Sequence, residues 1–192
     1  MTDPGAFSTE QKNEVGIDLI LFTHEHQDHY HLDTLKDVLT NNPKAGIVTN
    51  ASVGKLLTEA GINFTKVENG ETFDFNGINI KGFGSKHAEI YETYGQVQNT
   101  GYMIDSLCYP GDSFNNPNSK VDILALPVAG PWMRIKDAID YAKVIKPRIA
   151  FGVHDAILRT EFTSFIPRLV GNFLSADGIE MKSLELGKEE EI

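Results

Sequence analysis

Cysteine is almost missing from this chain. Cys108 stands alone, so no intramolecular disulfide framework can brace the fold, and a reducing cytoplasm is the expected setting. Long hydrophobic runs are missing too. No apolar stretch approaches the length of a membrane span. The opening Met1-Thr2-Asp3-Pro4-Gly5 has neither the basic nor the apolar part of a secretory signal. Positive charge is scarce: Lys and Arg number 17 against 27 Asp and Glu, a net charge of −10. Affinity for long phosphate backbones rests on Lys and Arg neutralising phosphates. That balance speaks against nucleic acid and for a small-molecule substrate, with room left for a local basic pocket that holds a small anion. Repeats, linkers and low-complexity segments are also absent.

What remains is the make-up of a soluble globular protein, with 41% hydrophobic and 23% charged residues. A chain of 192 residues is long enough to bury a real core and is read as a single domain over 1–192. Ile17 to Thr23 is a near-continuous apolar run of the kind a buried strand carries. Leu32 to Leu39 has helical spacing and stops at Asn41-Asn42-Pro43. Gly46 to Thr49 reads as a strand and Ala51 to Ala60 as a helix closed by Gly61. Then come short β segments at Asn63 to Lys66, Glu71 to Phe75 and Ile78 to Phe83, with Asn69-Gly70 and Asn76-Gly77 as turn dipeptides. Thr100 to Tyr109 reads as two strands about Asp105-Ser106, and Val121 to Pro127 as another. A helix is expected over Trp132 to Val144, a strand over Arg148 to Val153, a helix over Phe162 to Leu174 and a last strand over Ile179 to Leu186. The charged tail Gly187 to Ile192 is expected to fray. Parallel-type βα units alternating with meanders predict two sheets covered by helices.

The chain has six histidines, and four of them fall between residues 24 and 31. His24, His26, Asp28 and His29 form an H-x-H-x-D-H spacing directly after a strand. His24 and His26 sit two apart, so an extended backbone points both to one side. Asp28 and His29 are adjacent and must diverge, which suits a second ion beside the first. His87, Asp112 and His154 each follow another strand-like run. Ligands on loops just beyond rigid strands can converge on one pocket.

Thr23-His24-Glu25-His26-Gln27-Asp28-His29, then His87, Pro110-Gly111-Asp112 and Gly152-Val153-His154-Asp155 follow one another in an order that resembles the metallo-β-lactamase superfamily of metal-dependent hydrolases. The run Leu124 to Trp132 and Val153-His154-Asp155-Ala156 look like the branch holding the ascorbate-6-phosphate lactonase. The resemblance implies a four-layer αβ/βα sandwich of two mixed sheets with helices outside. It implies a first metal on His24, His26 and His87, a second on Asp28, His29 and His154, and Asp112 as the bridge. Imidazole and carboxylate suit zinc, with manganese or iron as other occupants. Two ions roughly 3.5–4 Å apart can share a hydroxide that attacks an ester-like bond, and one ion alone lowers bound water to a pKa of about 7. Asp28 is the expected proton relay. A lactone or phosphoester is the expected substrate, an inactive metal-binding scaffold or a diiron redox protein the alternative.

Departures from the family narrow this. The lactamases proper lack a bridging aspartate where Asp112 stands. The diiron branch usually has glutamate where this chain has His26. Relatives begin with two or three strands ahead of the Asp-Pro segment, which stands here almost at residue 1. The N-terminal strands are therefore expected to be missing, leaving an edge to be covered or paired, which makes a homo-oligomer possible. Around the ligands the readings are plainer. Tyr30 and His31 read as local packing or support, and Cys108 as core. Asp3 and Asp155 are available to orient imidazoles or to serve as turn residues. Trp132 is core or pocket wall. Arg134, Lys136 and Lys86 are available to a substrate anion, with Trp132 and Arg134 the nominated substrate contacts. Tyr91, Tyr94 and Tyr102 are available to an oxyanion.

Overall fold

Short apolar runs cut by Gly and Asn-Gly turns leave strands of two to six residues. A computed structural model, describing residues 1–8, 10–188 and 190–192, sorts them into two sheets. In the first, β1 (Leu19–Phe22), β2 (Gly46–Thr49) and β3 (Thr65–Lys66) lie in that order. Both pairings are parallel. Parallel neighbours need a crossover, which α1 (Leu32–Asn41) and α2 (Ala51–Glu59) provide. The expectation of two mixed sheets is thus corrected: the smaller sheet is wholly parallel because each of its strands is followed by a helix or a long return rather than a hairpin.

The second sheet is mixed. It contains β4 (Thr72–Phe75), β5 (Ile78–Phe83), β6 (Gly101–Ile104), β7 (Leu107–Tyr109), β8 (Ile123–Pro127), β9 (Ile149–Val153) and β10 (Glu180–Lys182). Its spatial order is β10-β9-β8-β7-β6-β5-β4. Strands β4 to β7 form an antiparallel meander, and β7 to β10 run parallel. The parallel half is crossed by α3 (Ile135–Ile145), and by α4 (Thr160–Thr163) with α5 (Phe165–Leu174). Two reversals separate β5 from β7, so β5, β7, β8 and β9 all point the same way.

Alternation along the strands makes the layers. Ile20 and Phe22 of β1 face α1 and α2, packing with Leu35, Val38, Val53 and Leu57. Leu21 points the other way and meets Val48, Val67, Ile80 and Tyr102 between the sheets. Met103 and Cys108, on the far side of the second sheet, join Leu124, Leu126, Ala142, Val170 and Leu174 against α3 and α5. Helices, sheet, sheet and helices are stacked in that order. Each fully buried Leu, Ile or Phe contributes about 1.5–3 kcal/mol.

Several strands are a residue or two shorter at one or both ends than the sequence reading, and three elements differ from it for an identifiable reason. The helix expected from Trp132 begins at Ile135. Asp137 reaches back to the Arg134 backbone N–H at 2.8 Å and closes the first turn, so Trp132 stays in the loop. The helix expected over Phe162 to Leu174 is broken at Ser164. Pro167 has no N–H to offer a carbonyl four residues back, and fits only in the first turn of a new helix. The last strand stops at Lys182 opposite Phe151, and Leu184 and Leu186 beyond it are exposed. Glu189, in the tail expected to fray, lies outside the described residues. At the chain's start, residues 1–3 run along the edge of β1. Leu21 N–H donates to the Met1 carbonyl at 3.0 Å, and Asp3 N–H to the Leu21 carbonyl at 2.9 Å.

Candidate metal centre

The common direction of β5, β7 and β9 brings the loops at their C-terminal ends to one rim. His87 comes after β5, Asp112 after β7 and His154 after β9, while His24 to His29 come off β1 of the facing sheet. The seven nominated side chains meet there. The ligand atoms of His24, His26 and His87 lie within 4.8 Å of one another, as do those of Asp28, His29 and His154. Asp112 sits between the two groups. Its Oδ1 is 3.1 Å from His29 Nε2, and its Oδ2 is 3.3 Å from His87 Nε2 and 3.1 Å from His154 Nε2. Asp28 Oδ2 lies 3.3 Å from His154 Nε2 and 3.7 Å from His29 Nε2.

The tautomers are set from outside the cluster. Thr23 Oγ1 donates to Asp3 Oδ2 at 2.7 Å, so toward His24 Nδ1, 3.0 Å away, it acts as acceptor. His29 Nδ1–H donates to the same Asp3 oxygen at 2.8 Å. His87 Nδ1–H donates to the Ala88 carbonyl at 2.5 Å. Each of these bonds keeps a proton on Nδ1 and leaves the Nε2 lone pair pointing inward, the form in which imidazole binds a metal. Nε2 of His24, His29, His87 and His154 and Oδ1 of Asp112 are buried without a properly aligned hydrogen bond. Buried polar atoms are normally satisfied. A set of inward lone pairs beside carboxylates fits divalent cations by its donor chemistry. Asp3 is grouped by distance with His24 and His29, but both its oxygens already accept hydrogen bonds on the outer side. It is a positioning residue rather than a ligand.

Electrostatics agree with a cage of carboxylates and imidazoles. Burial and the neighbouring imidazoles push His24 well below its usual range. Burial opposes charge on His29, yet Asp3 and Asp112 win and lift it to about 10. His154 rises to about 9, with Asp112 and Asp28 outweighing burial. Asp112 moves well below the carboxylate range, burial being outweighed by His154, His29 and His87. The carboxylates that favour positive charge on His29 and His154 are the groups that would face cations.

Backbone strain marks the same place. Asp3 and His154 adopt φ of 45° and 64°, a left-handed conformation uncommon outside glycine and concentrated at functional sites. The N-terminal segment also passes so close to the ligand loop that a Cβ at Gly5 would sit 1.8 Å from the Asp28 carbonyl oxygen.

The other nominated residues divide. The Trp132 ring lies 6.0 Å from His87 and 6.2 Å from His154, and 5.2 Å from Phe114, so it is both core and site wall. Arg134 turns its guanidinium to Asp137 at 2.8 Å, and Lys136 pairs with Asp140. Both pairs lie on the solvent face at the start of α3, with the Arg134 side chain 78% and the Lys136 side chain 70% exposed, where ion pairs are weak. Lys86 is exposed beside His87. Tyr102 is buried between the sheets and donates to the Val67 carbonyl at 3.2 Å, while Tyr91 and Tyr94 are largely exposed. Tyr30 packs edge-on to Phe22, and His31 accepts from Thr34 N–H as the N-cap of α1. Burial pushes the Cys108 thiol up to about 12. Among the described residues Asp155 makes no side-chain hydrogen bond to an imidazole; burial raises its carboxyl pKa.

Sequence reasoning missed Thr23 and Asn99. Asn99 accepts from Asp112 N–H at 3.0 Å and donates to the Pro110 carbonyl at 2.9 Å, which holds the loop that carries Asp112. Neither residue has a spacing signal of its own. Replacing Asp3 by Asn puts a donor where two acceptors are needed. Metal affinity is expected to fall about 10–100-fold with the fold retained, as read by metal titration alongside far-UV circular dichroism.

Residues 1–154 match the β-lactamase superfamily domain. The chain belongs to that superfamily, and its stacked helix–sheet–sheet–helix architecture is the metallo-β-lactamase fold. A protein of Mycobacterium tuberculosis is 33% identical over 162 residues, which cover 81% of this chain and 75% of that protein. A UPF0173 metal-dependent hydrolase of Thermoplasma acidophilum is 30% identical over 152 residues, 73% of this chain and 66% of its own length. The crystal structure of a proposed metal-dependent hydrolase from Parabacteroides distasonis superimposes with a TM-score of 0.73 at 22% identity, covering 96% of this chain and 84% of that one.

Proposed function

We propose that the chain is a metal-dependent hydrolase with a dinuclear centre, acting on a small ester-like substrate such as a lactone or phosphoester. The observation that carries this reading is the set of inward-facing, buried Nε2 atoms whose tautomers are fixed by Asp3, Thr23 and the Ala88 carbonyl. His24, His26 and His87 would hold one ion, Asp28, His29 and His154 the other, and Asp112 would span both. Zinc fits the donors, as do manganese and iron. Bound divalent cations supply Lewis acidity and acidify water to a pKa of about 7.

The chain's own residues do the rest. Asp112 carries negative charge into the middle of the cage. Asp3 keeps the His29 ring in register. Asp28 is the most open of the carboxylates, with its side chain 24% exposed against 4% for Asp112. It is placed to accept a proton and return it to solvent. Trp132 walls the cluster and limits water. The archaeal relative's name, metal-dependent hydrolase, supports the same reading. The lone buried thiol suits a reducing cytoplasm, and a second copy of the chain is a further partner to test. Among the described residues no helix is long and apolar enough to cross a membrane.

The test is metal content and turnover measured together. The loaded chain should hydrolyse members of a panel of generic lactones, thioesters and phosphodiesters, with turnover tracking metal occupancy. His26→Ala should lose one ion and at least a hundredfold in turnover. Full activity in that variant refutes the assignment. Full loading without any turnover across the panel points to an inactive scaffold, and oxygen-dependent activity with bound iron points to a redox protein.

A further inference from the structure

The loops at the C-terminal ends of β8 and β9 enclose an open groove of about 640 Å³. Its walls include Val128, Ala129, Pro131 and Met133 from one loop and Ile157 and Leu158 from the other. Every side chain that lines it is uncharged and apolar. No residue of the metal cluster lines it, but the chain connects the two at two points. Trp132, between Pro131 and Met133, stands edge-on to His87 and His154. Ile157 and Leu158 come three and four residues after His154, and Leu158 N–H bonds back to the Asp155 carbonyl at 2.9 Å. The loops are also tied together, since Val128 N–H donates to the Val153 carbonyl at 3.0 Å. Three cations stand next to lining residues in sequence, Arg134, Lys136 and Arg159, and none of them lines the groove.

We infer that this groove receives an uncharged alkyl or aryl arm of the substrate, so that the scissile bond at the metal centre belongs to an amphiphilic ester or lactone rather than to a compact, highly anionic phosphoester. The inference rests on the hydrolase reading above and narrows it. A groove lined by apolar side chains gives no favourable partner to a second anionic group, and a charge moved into it would lose hydration without compensation. Apolar surface gains in the same place. Full burial of a methylene is worth about 0.8 kcal/mol, or roughly fourfold in affinity, and a half-open groove captures about half of that free energy, or roughly twofold.

The test uses straight-chain alkyl hydroxamic acids, whose head chelates metal and whose tail is varied, titrated calorimetrically into the metal-loaded full chain. Affinity should rise roughly twofold per methylene from acetyl towards decanoyl and then level off as the groove fills. Ile157→Asp should weaken octanoyl hydroxamate about tenfold or more and leave acetohydroxamate unchanged; Ile157 is 46% exposed, so the fold tolerates the change, and Leu158→Asn provides a second variant. A flat series, or tighter binding of a tail ending in phosphate, overturns the inference and leaves the metal centre standing. Failure of acetohydroxamate to bind in a metal-dependent way overturns the metal reading, and the inference falls with it.

Discussion

Replacing Asp112 by alanine is expected to cost the chain its paired metal loading, leaving at most one tightly held ion, and to lower turnover by about a thousandfold or more. The magnitude reflects the position of the carboxylate. It is buried, and its two oxygens lie within 3.3 Å of Nε2 atoms on His29, His87 and His154. Its oxygens face imidazoles of both three-residue groups, His87 of one and His29 and His154 of the other. Without it, the cage loses the negative charge that would balance two cations in a site sheltered from water. Charge stabilisation of this kind contributes several kcal/mol to a metal-assisted transition state, and each 1.36 kcal/mol is a factor of ten in rate. The loop itself should survive, because Asn99 holds Asp112 through its backbone N–H at 3.0 Å rather than through the carboxylate. A folded protein with unaltered circular dichroism, reduced metal content by elemental analysis after gel filtration and greatly reduced turnover is the expected result. Two retained equivalents with near-normal rates would remove Asp112 from the centre.

The cluster was legible in the sequence because its members share a positional rule. Each nominated ligand comes after an apolar run that can only be a strand, and strands entering one rim in parallel deliver their end loops together. The alternation of βα units with Asn-Gly hairpins likewise announced two sheets with helices outside. The features that stayed hidden depend on contacts between distant segments. Asp3 was legible as a residue able to orient an imidazole, but its partners, the Thr23 N–H and the His29 ring 20 and 26 residues away, were not. Asn99 acts on Asp112 from 13 residues before it. Asn99 carries no local pattern. Helix ends were misjudged where one side chain decides the matter: Asp137 caps at Arg134 and leaves Trp132 in the loop, and Pro167 forces a break at Ser164. The pairing of Arg134 with Asp137 and of Lys136 with Asp140 follows the i,i+3 and i,i+4 spacing that the sequence already contains.

The second large effect is expected from a residue with no side chain. Gly111 lies between Pro110 and Asp112 with φ +61°, a region where an L-residue costs about 1–2 kcal/mol. A Cβ there would also meet Asn99 Oδ1 at 2.4 Å and the Thr23 Cβ at 2.7 Å. Neither neighbour can give way cheaply. Thr23 is held by Asp3 through both its N–H and its hydroxyl, and Asn99 is held by the Pro110 carbonyl. The strain must therefore appear as a shift of the loop that carries Asp112. Gly111→Ala is expected to destabilise the protein by about 2–4 kcal/mol in chemical denaturation. It is also expected to weaken metal binding about a hundredfold, the upper end of what displaced outer contacts cost a metal site. Gly70→Ala supplies the control. Its φ is similarly positive at +83°, but nothing lies within 4 Å of its Cβ position, so it should lose about 1–2 kcal/mol and bind metal normally. If the two variants lose the same stability and both keep their metal, close packing behind Asp112 is not what holds the centre in shape.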